Sequence, residues 1–372
     1  MIPVSQPFLP PKDEYNVLIS KIWDTKWLTN NGMFVQQLEK ELLEYLNISS
    51  LHYVNNGTVA LQLALKSLDI KNEVITTPFS FIATTTSILW EHCEPVFVDI
   101  DPKTLCMDPE KIEEAISDKT EAILATHVFG IPCDVEKIEE IAKRHHLKVI
   151  YDAAHAFGVK YKGESVLKYG DLSTISFHAT KLFHTVEGGA IVNNTGEKLD
   201  HQITLLRNFG YEGEDYITAG INAKNSEFHA AMGLCNLKHI DEIIMKRRII
   251  TETYEQFLGN RLERPFISND IQYNYAYYPV IFETEEELLF IKSKLERNQI
   301  MTRRYFYPSL NKIPYLKNTY SCKISESIAK RILCLPLYSD LHLDDVENIA
   351  KLMTGESRNE LTYNGWSRIY RF

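Results

Sequence analysis

The chain has 372 residues, 44% hydrophobic and 24% charged, a length and balance that predict a globular protein with a large core, either two domains or one large and one small. Its formal net charge of −10 leaves no basic stripe to displace counterions from nucleic acid and excludes that class of partner. Six scattered cysteines without C-x-x-C spacing point to neither a zinc ribbon nor a disulfide framework, and with no export pattern and no long apolar run the expectation is a cytoplasmic protein that does not enter a membrane.

In chain order, "LHYV" (51–54), "EVITT" (73–77), "PVFVDI" (95–100), "EAILATHV" (121–128) and "LKVIYDA" (147–153) read as buried strands. Between them "TVALQLALKSL" (58–68), "SFIATTTSILWEH" (80–92), "PEKIEEAI" (109–116) and "DVEKIEEIAKRHH" (134–146) read as helices. This alternation predicts parallel βαβ units, whose ligands bind beyond the carboxyl ends of the strands. Strands "STISF" (173–177) and "GAIVNN" (189–194) follow, and a long helix from Asn225 to about 258 predicts a spine joining two parts. Beyond it "YAYYPVIFE" (275–283) reads as a strand, with helices at 285–298 and 343–353 and a Pro- and Tyr-rich stretch from Tyr305 to Tyr320. The expected division is 1–245, a large α/β domain with its N-terminal segment, and 246–372, a smaller α+β domain. The basic, aromatic tail "GWSRIYRF" is expected to dock.

Three stretches carry chemistry. In "VNNGTVALQLAL" a glycine stands between a strand and a helix, where backbone amides favour a phosphate; simple helix capping by Asn56 or Thr58 explains the same residues. In "VIYDAAHAFG" Asp152 ends a buried strand and needs a cationic or proton-bearing partner such as a pyridinium nitrogen, or else caps the next turn. In "ISFHATKLFHTVEGGAIV" Lys181 sits between a strand and Gly188-Gly189. In a dry site its amine loses the proton and forms Schiff bases; most lysines are simply solvated. His178 and His184 flank Lys181 without a Cys or carboxylate to complete a tetrahedral set, so no metal site is expected.

In this order Gly57-Thr58, Asp152 and Ser176-to-Lys181 resemble the fold-type-I pyridoxal phosphate enzymes, the aspartate aminotransferase-like α/β fold. The chain closely resembles the sugar aminotransferases of the DegT/DnrJ/EryC1 family. The likeness runs from "LTNNGMFVQQLEKEL" (28–42) through "TTPFSFIATTTSI", "HVFGIPCD", "DAAHAFG", "SFHATK" and "GINAKNSEFHAAMG" (220–233) to "LCLPLY" (333–338).

The resemblance implies pyridoxal 5'-phosphate as cofactor. It implies that Lys181 holds the cofactor and shuttles the proton, that Asp152 pairs with the ring nitrogen, and that His155, often Gln in relatives, hydrogen-bonds the ring oxygen. Gly57, Thr58 and Ser176 match the phosphate cradle, Phe81 the aromatic over the ring face, and Asn222 an asparagine that reaches the phosphate of a neighbouring subunit, implying a homodimer with shared active sites. Asn225 stands where relatives usually carry Met and reads as a tolerated change. His184, Tyr305 and Tyr307, with Arg303 and Arg304, are expected toward the nucleotide sugar, a surface loop or plain packing being the alternative. The implied reaction moves an amino group from L-glutamate to C4 of dTDP-4-keto-6-deoxy-D-glucose. The alternatives are a C3 aminotransferase on a dTDP-3-keto-6-deoxyhexose and a non-catalytic regulatory protein on the same fold. Lys181 speaks against the dehydrating relatives, which replace it by histidine. Amino sugars of this type enter bacterial surface polysaccharides such as O-antigen, or glycosylated natural products.

Overall fold

The computed structural model describes residues 1–355 apart from positions 317 and 319; the tail 365–372 lies outside the described residues. Helices α1 (Lys12–Thr25) and α2 (Met33–Leu46) precede β1 (Leu51–Val54), α3 (Gly57–Ser67), β2 (Glu73–Thr76), α4 (Ile82–Trp90), β3 (Glu94–Phe97), β4 (Thr120–Thr126), α5 (Val135–His145) and β5 (Lys148–Asp152). Strands Leu172–Ser176 and Gly189–Asn193 complete a seven-stranded sheet, ordered β1, Gly189–Asn193, Leu172–Ser176, β5, β4, β2, β3. Every pairing from Leu172–Ser176 across to β3 is parallel, whereas Gly189–Asn193 runs antiparallel to both its neighbours. The reversal follows from the short lysine-bearing loop between it and Leu172–Ser176, since a parallel return needs a longer crossover.

The stretch 109–116 forms two 3₁₀ turns, Pro109–Lys111 and Glu113–Ala115, instead of a helix. Only Ile112 there is fully buried, too small an apolar stripe to hold a helix. The expected spine breaks at His239 into α7 (Glu227–Leu237) and α8 (Ile240–Leu258), after α6 (Glu197–Leu206). Helix α7 is buried on almost every side, and a Cβ at Gly233 would lie 2.7 Å from Thr185 Cγ2. It belongs to the core beside the lysine loop, and only α8 runs outward.

Helix α8 crosses positions 245 and 246 without interruption. It packs with α9 (Glu285–Arg297), α11 (Leu343–Thr354) and the antiparallel strands Tyr278–Ile281 and Ile332–Leu335 around a second core that includes Tyr254, Val280, Leu288, Leu333 and Val346. The first residues pair with this part: Ile2 exchanges backbone hydrogen bonds with Gln299 and Met301, each 2.8 Å long. The opposite face of the small sheet, through Ile281, Ile332 and Cys334, joins the core of the large sheet, with α10 (Lys323–Arg331) contributing Ile328 and Ala329.

Candidate active site

The carboxyl ends of β4, β5 and Leu172–Ser176 bring Thr126, Asp152 and Ser176 to one side of the sheet, where they line a cavity of about 570 Å³. This is where a parallel sheet leaves a crevice for a ligand.

Asp152 is 5% exposed. Its Oδ1 accepts from the Ala154 amide at 3.1 Å and its Oδ2 from the Thr84 hydroxyl at 2.7 Å. Burial pushes the carboxyl up from its usual range, while Thr84, the Ala154 amide and the charge of Lys181 pull it back. A buried carboxylate held this way has lone pairs left for a cationic partner.

Lys181 follows the turn after Ser176, its amide donating to the His178 carbonyl at 2.9 Å. Dehydration draws its pKa below the usual lysine range against the opposing field of Asp152. Among the described residues no hydrogen bond or ion pair engages its amine, and once deprotonated that amine offers a lone pair for covalent or base chemistry.

His155 lies 6% exposed beside Phe306, ring centroids 5.7 Å apart and planes 3° from parallel. The Phe129 amide donates to its Nδ1 at 3.2 Å, so in the neutral ring the proton sits on Nε2. Burial, helped by Lys181, holds the ring's pKa well below the usual histidine range and keeps it neutral. The Asn274 side chain fixes the backbone here by donating to the His155 and Phe157 carbonyls at 2.8 and 3.0 Å.

At the other side of the cavity Asn56 caps α3, its side chain accepting from the Val59 amide at 2.9 Å. Capping and cradle are one feature: with Asn56 serving Val59, the Gly57 and Thr58 amides of the same turn stay open to the cavity they line. A Cβ on Gly57 would stand 2.9 Å from Ser176 Cβ, and one on Gly189 would stand 2.6 Å from the Asn56 carbonyl carbon. The two glycines therefore press the turn and the serine together. Phe81, 49% exposed, stands over the rim at the start of α4.

The model of the DegT/DnrJ/EryC1/StrS aminotransferase family matches residues 12–354. The chain belongs to that family. It is 42% identical to the dTDP-4-amino-4,6-dideoxy-D-glucose transaminase of Escherichia coli, over 95% of this chain and 98% of the relative. To the protein of the same name from Shigella dysenteriae it is 45% identical, over 93% and 96%. Among solved structures, DesI in the presence of its TDP-sugar product matches with a TM-score of 0.90 at 29% identity, covering 95% of this chain and 92% of that one. Helicobacter pylori PseC, an aminotransferase involved in the biosynthesis of pseudoaminic acid, matches with a TM-score of 0.86 at 27% identity, covering 95% and 98%. The α/β fold with its mostly parallel sheet is that of the fold-type-I aminotransferases.

In this family member the second wall of the cavity comes from the smaller part: Tyr277, Arg303, Tyr305 and Phe306. The Arg303 guanidinium lies 4.9 Å from the Tyr305 ring centre. Burial raises the Tyr305 phenol above its usual range. Two residues expected near the substrate lie elsewhere. His184 is 2% exposed and outside the cavity lining; its Nε2 donates to the Phe8 carbonyl at 2.7 Å, and its Nδ1 accepts from the Val186 amide at 3.2 Å. That is packing, forced because the chain turns inward after Leu182. Tyr307 lies outside the lining as well, its ring 3.7 Å below the guanidinium of Arg304, which Glu285 holds at 2.7 Å. Asn222 is exposed and does not line the cavity of its own chain.

Asn225 is more than a tolerated change. Its side-chain amide donates to the Tyr53 hydroxyl at 3.0 Å and to the Glu187 carbonyl at 2.8 Å, tying the start of α7 to the lysine loop. The sequence reading also passed over Ser80, Thr84, Thr126 and Tyr277, which line or support the site. Ser80 stands just before α4 and Thr84 in its first turn, a hydroxyl pair at the entry to a helix whose oxygens lie 2.7 Å apart. Tyr277 lies in a tyrosine-rich run with nothing to single it out.

Proposed function

We propose that the chain is a pyridoxal-phosphate-dependent aminotransferase transferring the amino group of L-glutamate to C4 of dTDP-4-keto-6-deoxy-D-glucose, giving dTDP-4-amino-4,6-dideoxy-D-glucose. The observation that carries the reading is the placement, in one cavity, of a dehydrated Lys181, a buried Asp152 and an open helix N-terminus pressed against Ser176. The names of the Escherichia coli and Shigella dysenteriae relatives support the C4 position and the dTDP-sugar.

The residues fit the cofactor. Gly57, where a Cβ would collide with Ser176, lets the turn close on the serine, and the Gly57 and Thr58 amides with the Ser176 hydroxyl would hold a phosphate in the cavity they line. Asp152 would accept a hydrogen bond from the protonated ring nitrogen, and His155 Nε2–H would donate to the ring oxygen. Phe81 covers one ring face. When bound, the cofactor supplies an electron sink for the pair released at the donor's Cα. Lys181 would take the proton from that carbon and deliver it to the cofactor within the first half-reaction, and in the second would carry a proton the opposite way, onto the sugar carbon; dehydration, which lowers its pKa, favours the neutral amine such a base needs. Asp152 keeps its charge throughout, and the aromatic wall of Tyr277 and Phe306 keeps water from the proton's path. Arg303 and Tyr305 face incoming substrate.

The same reading makes the protein a homodimer. Asn222 is exposed and absent from the lining of its own cavity, and Phe209, Tyr216, Ile217 and Ile221 near it are exposed, an apolar surface suited to a second copy whose phosphate site Asn222 would complete. It also divides the chain into residues 1–245 and 246–372 and places it in the cytoplasm; among the described residues no helix is long and apolar enough to cross a membrane. The amino sugar would enter a surface polysaccharide such as O-antigen.

The test is incubation of the purified protein with pyridoxal phosphate, L-glutamate and dTDP-4-keto-6-deoxy-D-glucose, with nuclear magnetic resonance of the product. An amine at C4 is expected. Conversion of a 3-keto isomer alone would move the reaction to C3, and no cofactor binding at all would overturn the assignment.

A further inference from the structure

The hydroxyl groups behind Asp152 form a chain whose direction can be worked out. Thr126 Oγ1 donates to Ser80 Oγ at 3.0 Å, the Ser80 and Thr84 hydroxyls are 2.7 Å apart, and Thr84 Oγ1 donates to Asp152 Oδ2 at 2.7 Å. A hydroxyl carries one proton. With Asp152 ionised, the proton of Thr84 is committed to the carboxylate, so Thr84 can only accept from Ser80. The proton of Ser80 is then committed to Thr84, so Ser80 can only accept from Thr126. Three O–H dipoles stand in series, each with its positive end toward Asp152.

None of the four side chains is more than 5% exposed, although three of them line the cavity, so water has little room to compete for these bonds. Bonds in series polarise one another, and the low dielectric around them strengthens the last one, to the charged group, most. The elements hold the chain rigidly: Thr126 and Asp152 end the adjacent strands β4 and β5, while Ser80 and Thr84 lie one turn apart at the entry to α4.

We propose that Thr126, Ser80 and Thr84 are a polarised hydroxyl relay that holds the buried Asp152 ionised before any partner arrives, with Thr84 as its positioning residue. The inference deepens the proposed function, and depends on it only for the identity of that partner. Burial alone favours the neutral acid, which has no lone-pair charge to offer a pyridinium nitrogen. The relay offsets that preference in the empty site, so the site need not reorganise when the cofactor enters.

Two measurements on Thr84→Val, Thr84→Ser, Ser80→Ala and Thr126→Val test this. The first follows the carboxylic acid band of Asp152 in the cofactor-free protein by infrared difference spectroscopy against pH, assigned with Asp152→Asn. The second is the dissociation constant for pyridoxal phosphate. Thr84→Val is expected to move the protonation of Asp152 to higher pH and to weaken cofactor binding about tenfold, the scale of one hydrogen bond to a charged group. Ser80→Ala should act in the same direction about threefold and Thr126→Val less than twofold, as polarisation decays along the chain. Thr84→Ser, which keeps the hydroxyl, should match wild type in both.

If Thr84→Val folds poorly, Ser80→Ala carries the test, being one hydroxyl removed from the carboxylate. An unmoved titration in Thr84→Val and Ser80→Ala, or a loss of melting temperature with no gradient in the titration, overturns the relay. If wild type fails to bind pyridoxal phosphate while the infrared gradient persists, the relay stands and the cofactor reading falls.

Discussion

The two walls of the cavity are built differently. On the sheet side the groups around the lysine are locked at the ends of elements: Asp152 by Thr84 and the Ala154 amide, Asn56 by the Val59 amide, Gly57 against Ser176. On the opposite side Arg303 and Tyr305 hang from an irregular segment, and Arg303 makes no ion pair among the described residues. Its neighbour Arg304 is held by Glu285, backbone carbonyls and the Tyr307 ring. A wall whose open groups are fixed in place by their neighbours holds one ligand in one pose, whereas an unpaired guanidinium on an irregular segment waits for an anion that comes and goes. The contrast suggests that the sheet side grips the cofactor and the other wall chooses the substrate.

The strongest way to break this contrast is on the sheet side. Lys181→Ala should lower turnover by about 10³-fold or more, because it removes both the covalent attachment and the proton carrier. Single-turnover kinetics of each half-reaction should show both halves lost; survival of either one would mean that another base does the work.

Asp152→Asn comes next, with turnover down about 10²-fold and a stability change of the opposite sign. Burial raises the carboxyl's pKa in the folded chain. A raised folded pKa contributes stability that is fully present below the unfolded value and is lost as pH rises through the folded one. Without cofactor the Asn variant should therefore melt at or above wild type at neutral pH, and the difference should close as pH falls into the carboxyl range. Melting curves of the cofactor-free proteins against pH decide it.

The same contrast explains what was legible in the sequence. Strand ends, the Asn56-Gly57 turn and Asp152 could be read because each rests on a local rule, alternation of apolar runs or a glycine before a helix. The segment 109–116 failed because its charged residues imitate a helix while burying only Ile112. The break at His239 was hidden because both halves are good helix formers and only tertiary packing separates them. His184 misled by proximity in sequence: three residues after Lys181 the chain has already turned into the core. Arg303 was reached only through the family resemblance and Tyr277 not at all, since an irregular segment obeys no period and their place is set by how the two parts of the chain pack.

Gly57→Ala sharpens the sheet side further. The new Cβ would meet Ser176 Cβ at 2.9 Å and its Cα at 3.3 Å, atoms that cannot swing aside as a side-chain tip can. The cradle must open, and the dissociation constant for pyridoxal phosphate should rise about tenfold or more. Free inorganic phosphate should then lose its ability to compete with the cofactor. An unchanged constant would show that the phosphate sits elsewhere.

On the opposite wall, Arg303→Gln should raise KM for an anionic substrate by about 10- to 100-fold while cofactor affinity stays within twofold, the pattern of lost ground-state binding. If the dTDP-sugar is the anion, the second half-reaction alone should suffer, and if it is glutamate, the first. A loss of cofactor affinity would collapse the distinction between the walls.

The smallest effect is expected at Tyr307→Phe. Its ring lies 3.7 Å under Arg304, which is itself anchored by Glu285, and its hydroxyl reaches no residue of the cavity. Phenylalanine keeps the stacked face, so the arginine stays in place and KM for both substrates should change less than twofold. A large rise for the dTDP-sugar alone would mean that the segment folds over the substrate and brings Tyr307 with it. The second wall would then be a mobile element rather than a fixed one, and its unpaired Arg303 would mark where that closure begins.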